Sequence, residues 1–188
     1  MGAVDRDPVL DVPDAAAWAR WLAVEHARHG GVWLKLAKGG GARGLLTYSE
    51  ALDEALCWGW IDGQKRSLDA THWLQRFTPR RARSGWSMVN IGRVEALEAA
   101  GRMREAGARE VAAAKDDGRW ARAYPPQSKA EVPDDLAQAL GAVEGASAGF
   151  AALSASARFS VIYSVVTAVR PETRARRVAA AVAKLAGG

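Results

Sequence analysis

Cysteine is almost missing from this chain. The single Cys57 excludes an internal disulfide framework and fits a reducing compartment. Histidine is nearly as scarce: His26, His29 and His72 are too few and too scattered to build a Cys/His zinc site, so no metal is expected. No apolar run approaches the roughly 20 residues that span a bilayer. The opening residues are acidic and interrupted by Pro8 and Pro13, which is not the pattern of a secretory signal, and a cytoplasmic location is expected. Lys38 to Gly44 is rich in glycine but lacks the Gly-Lys-Ser/Thr order of a phosphate-binding loop. No cofactor is expected either.

What is present is tryptophan and arginine. The chain has 188 residues, 49% of them hydrophobic and 25% charged, a size that suits one domain or one domain with an appendage. Eight tryptophans occur, and Trp58, Trp60, Trp73 and Trp86 fall within one stretch from Trp58 to Asn90. From Trp60 to Arg93 seven basic residues face two acids, Asp62 and Asp69, so the net charge of +5 is matched by this stretch alone. Arg158 to Lys184 also carries an excess of cations, offset by acids elsewhere. Aromatic faces beside guanidinium groups suit a flat or anionic partner. A basic balance also admits nucleic acid, without selecting it.

Local signals place the elements. Asp14 can cap a helix over Ala15 to His26 with Trp18 and Leu22 inward, and Val32 to Ala37 reads as a strand. Thr47-Tyr48-Ser49-Glu50 has the form of a capping box for a helix to about Cys57, stopped at Gly59. Trp60 to Ser67 and Thr71 to Thr78 read as antiparallel strands, the second closed by Pro79, with Trp73, Gln75 and Phe77 on one face. Ser87 can cap a helix carrying Ile91, Val94 and Leu97, and Glu105 to Asp116 follows as another. After a loop at Trp120 to Pro133, helices are expected to Leu140, over Ala157 to Val169 and over Pro171 to Leu185. The fold class is α+β: a small antiparallel sheet with packed helices over 1–124, then a C-terminal helical module over 125–188.

The candidate site residues lie in the tryptophan-rich stretch. Asp62, among aromatics, can act in proton transfer, or it can simply pair with Lys65 or Arg66. Arg76, Arg80, Arg81 and Arg83 precede a helix N-terminus, where guanidinium and backbone N–H groups can surround an anion; a solvated basic turn is the alternative. Asn90 can add an amide. Trp58 and Trp60 straddle Gly59, and either packing or stacking on a planar ligand would use them. Cys57 reads as a buried thiol. The expected ligand-binding set is Trp60, Asp62, Lys65, Arg76, Arg80, Trp86 and Asn90, around a groove for a small anionic or planar ligand.

Several spaced blocks resemble one family. Leu46 through Gly63, ending in Trp60-Ile61-Asp62-Gly63, is similar to the signature of the YdeI/OmpD-associated proteins. Arg76-Phe77-Thr78-Pro79-Arg80, Ser84-Gly85-Trp86-Ser87 and Asn90 resemble its next block, and Pro171 to Arg177 its C-terminal module. Trp58 stands where Phe is more usual. The resemblance implies a bacterial protein of stress, bacteriocin or antimicrobial-peptide tolerance, and it brings no established reaction. A chain of positive charge is a poor direct trap for a cationic peptide, because like charges repel. Three functions stay open: ligand-mediated tolerance, nucleic-acid binding, and an undescribed enzyme using Asp62. The residues leave oligomeric state open and lean away from catalysis.

Overall fold

The computed structural model of the chain describes residues 7–40 and 46–187, so most of the glycine-rich loop, residues 41–44, lies outside the described residues. The order is β1 (Val9–Leu10), α1 (Ala15–Glu25), β2 (Val32–Ala37), α2 (Tyr48–Cys57), β3 (Trp60–Ser67), β4 (His72–Pro79), α3 (Met88–Ala99) and α4 (Glu105–Asp116). Four further helices complete it: α5 (Asp134–Gly141), α6 (Ala146–Ala152), α7 (Ala155–Val166) and α8 (Pro171–Ala186). The α+β class is as expected, with the sheet in the N-terminal half and the C-terminal part helical. Two elements differ from the expectation: the N-terminal lead-in contributes a short strand, and α6 interrupts what reads as loop.

The chain divides into two compact units. The first takes the described residues up to Ser84 together with Ile91–Trp120; the second takes Gly85–Asn90 and the described residues from Ala121 onward. A strip of six residues from the tryptophan-rich stretch therefore groups with the C-terminal part.

In the first unit the strands run in the order β1-β2-β4-β3. The sheet is mixed rather than purely antiparallel, since β1 pairs parallel to β2. Asp14 caps α1 by accepting from the Ala17 N–H at 2.7 Å. Thr47 and Glu50 form the reciprocal capping box of α2. Gly59, at φ +74°, turns the chain from α2 into β3. Trp18, Leu22, Leu52, Leu56, Trp60 and Phe77 are buried, and Trp18 meets Trp60 edge-on with centroids 6.3 Å apart. The two indole N–H groups stay satisfied, Trp18 donating to the Ala51 carbonyl at 3.0 Å and Trp60 to that of His26 at 3.2 Å.

The second unit has its own core of Leu136, Leu140, Ala146, Val165, Val178 and Val182. Ser154 caps α7 and Pro171 opens α8, where its missing N–H costs nothing. Gly149 lets α6 lie directly on α8: a Cβ there would collide with the Leu185 carbonyl oxygen. The strip joins this unit through Tyr124, whose N–H donates to the Trp86 carbonyl at 3.0 Å and whose carbonyl accepts from the Met88 N–H at 2.9 Å.

Candidate functional site

The β3–β4 register decides which candidate residues share a face. Asp62 lies opposite Phe77, yet Lys65, three residues on, lies opposite Gln75, only two residues back. One extra residue is therefore inserted into β3, a bulge. Opposed residues point to the same side of a sheet, and successive ones alternate. The bulge thus puts Lys65 on the face of Asp62, Gln75 and Phe77, and sends Arg66 to the other. There the Arg66 guanidinium lies 4.3 Å from the centre of the Trp33 ring. Gln75 is buried, and its amide nitrogen lies within 3.2 Å of the Gly63, Gln64 and Arg76 carbonyls, so it offers a donor to the backbone at the bulge.

Arg76 is on the face opposite Asp62, because it pairs in register with Trp33 while Asp62 is level with Phe77. The expected meeting of Asp62 with Arg76 on one surface does not occur, and alternation along β4 is the reason. Arg76 is instead committed to Asp7, its Nε 2.7 Å and its Nη2 2.5 Å from one carboxylate oxygen, with both side chains largely shielded. The pair closes over Gly31, where a Cβ would fall 2.6 Å from Asp7 Oδ2 and 2.7 Å from Arg76 Nη2.

The remaining candidates have these places. Trp60 is buried, 1% exposed, against Trp18 and Trp21. Arg80 is buried and its N–H donates to the Gly59 carbonyl at 2.9 Å. Lys65 is exposed. Trp86 and Asn90 belong to the second unit: Trp86 is buried, and the half-buried Asn90 donates its N–H to Ser87 Oγ at 3.1 Å, the cap expected for α3. Cys57 is buried, and burial pushes its thiol up to about 11, with the Glu54 carboxylate acting in the same direction.

Asp62 pairs with neither Lys65 nor Arg66, its neighbours in sequence. Its Oδ2 accepts from the Tyr48 hydroxyl at 2.8 Å. Burial pushes the Tyr48 phenol well above its ordinary range, and the hydrogen bond to Asp62 adds to that, so the hydroxyl stays a donor. The Tyr48 ring, still 37% exposed, stands beside Trp73 with centroids 6.0 Å apart at 43°. Arg93 lies near enough to oppose the rise in the phenol, and its Nη1 donates to Ser49 Oγ at 3.0 Å and Asp53 Oδ1 at 2.7 Å. Tyr48, Trp73 and Arg93 were not among the expected site residues. Tyr48 reads from the sequence only as a member of the capping box, and its distance of fourteen positions from Asp62 gives no periodic signal.

Asp62, Tyr48 and Trp73 make a half-exposed patch with one carboxylate oriented by a phenol, an aromatic edge and cations at its margin. Such a patch can accept hydrogen bonds from a ligand and stack against a flat one. No group of three or more His, Cys, Asp or Glu that could hold a metal occurs among the described residues. No helix among them is long and apolar enough to cross a membrane.

Comparison with known families divides the chain in a similar way. Residues 10–110 match the family described as a domain of unknown function (DUF8412). Residues 129–188 match the family described as bacteriocin-protection, YdeI or OmpD-associated. The Trp60–Gly63 block therefore falls within the first match, and the YdeI/OmpD-associated name attaches to the second. No curated protein and no solved structure matches the chain.

Proposed function

We infer that this chain, which belongs to the DUF8412 family and carries a YdeI/OmpD-associated module, works by binding a small planar ligand. The observation that supports this is the Asp62 carboxylate, held at 2.8 Å by the Tyr48 hydroxyl beside the half-exposed Tyr48–Trp73 edge. The ligand turns a donor edge to Asp62 and a flat face to Trp73. An anionic group on it would be met by Lys65, on the same sheet face. Binding here serves tolerance of bacteriocins or other stress from within the cytoplasm. It does so indirectly, because a chain of net charge +5 repels a cationic peptide.

Nucleic acid is the weaker reading. Arg76 is engaged by Asp7 and Arg93 by Asp53, which removes two of the cations a phosphate backbone would need. Calorimetric titration with purine and pterin compounds, with and without phosphate, tests the ligand reading. A compound that binds the native chain should lose about tenfold or more in affinity in Asp62→Asn, the size of one charge-assisted hydrogen bond. Equal affinity in the two proteins would overturn the site.

A further inference from the structure

Helix α8 has an apolar groove on each side, both within the second unit. One, of about 780 Å³, runs along α5 and includes Asp135 and Arg174. Those two pair at 2.6 Å, so the cation there is already neutralised. The other, of about 470 Å³, lies between α7 and α8 over Leu153, Val161, Ala181 and Leu185. Arg177 and Lys184 line it as well. Arg177 is held in place by donating to the Ser164 carbonyl at 2.6 Å, and neither cation has a carboxylate partner among the described residues. Seven residues apart on one helix, they lie on the same face and about 10 Å apart along the axis.

We propose that the α7–α8 groove docks an acidic amphipathic helix of a partner protein. Two carboxylates seven residues apart on that helix pair with Arg177 and Lys184, and apolar side chains between them fill the floor. The spacing favours this occupant. A fatty carboxylate offers one anionic group and leaves the second cation unmatched, while a flat acidic bilayer does not reach the floor of a recess.

The full-length chain is titrated with a labelled synthetic helix of about 18 residues, long enough to hold its conformation. It carries leucines along one face and glutamates at positions i and i+7 beside them. Fluorescence anisotropy should show binding that weakens about fivefold to tenfold when both glutamates become glutamine, and by a similar factor in Lys184→Glu. Both Lys184 and Ala180, which also lines the groove, are exposed, so Lys184→Glu and Ala180→Glu should keep the native circular dichroism. Ala180→Glu should abolish binding. Equal binding of the glutamine peptide, no effect of either substitution, or binding of phosphatidylglycerol vesicles or laurate without binding of the peptide would each overturn the proposal.

Discussion

Gly31 shows how one position without a side chain protects an interaction made by two others. The Asp7–Arg76 pair lies against its Cα, and the Thr78 methyl stands 3.1 Å from where a Cβ would be. Gly31→Ala therefore has to displace the ends of both side chains, and the pair is expected to lose its contact in doing so. Both are mostly shielded from water, so losing their contact leaves two poorly solvated charges, and the expected loss of stability is about 1–3 kcal/mol. The cause can be isolated by a double-mutant cycle in urea unfolding with Arg76→Leu as the second change. The alanine should cost clearly less once the guanidinium is gone. A cost that is the same in both backgrounds would mean that the ion pair is not what requires glycine here.

At the scale of elements, the caps carry a pH signature. Glu50 accepts from the Thr47 N–H at 2.9 Å and from its hydroxyl at 2.8 Å, and these bonds, the backbone one first, hold its carboxyl below the ordinary range. A lowered folded value means that the stabilisation is present above the unfolded pKa and is lost as pH falls through the folded one. Glu50→Ala should then be less stable than the native chain by about 0.5–1 kcal/mol at neutral pH. The gap should narrow as the pH is lowered below the ordinary carboxylate range, because the native carboxylate is then protonated as well. Urea midpoints at neutral and at acidic pH check this, and a gap independent of pH would contradict it. These same short-range devices are why so much of the fold was legible. The caps at Asp14, Thr47 and Ser87, the turn at Gly59 and the stop at Pro79 all act within about one helical turn of the residue that announces them. The unforeseen parts depend on distant partners. β1 is two residues long and exists through pairing with β2, and α6 begins at Gly145, at φ +79°, with no side-chain cap to mark it. The bulge after Asp62 shows only in the register with β4, and that register, together with Asp7, separates Asp62 from Arg76. Asp62 was therefore legible only as a candidate, and its hydrogen-bond partner Tyr48 was hidden because a helix and a strand must first pack to bring them together.

Across the whole molecule, the division into two units makes a claim about cooperativity that sequence order contradicts. Residues Gly85–Asn90 are flanked on both sides by the first unit, yet their backbone bonds run to Tyr124 in the second. Each unit has a separate core, so a local lesion should open one without the other. Gly149→Ala supplies the lesion, because its methyl meets the Leu185 carbonyl and forces α6 off α8, at an expected cost of about 1–3 kcal/mol. Hydrogen exchange on the intact variant should then accelerate across α5 to α8, while the amides that join β2 to β4 keep their native rates. The decisive amides are those of Met88 and Tyr124. If the strip belongs to the second unit, both should quicken with α8; if they keep pace with β4 instead, the strip opens with the unit that surrounds it in sequence, and the division drawn from packing does not govern how the molecule unfolds.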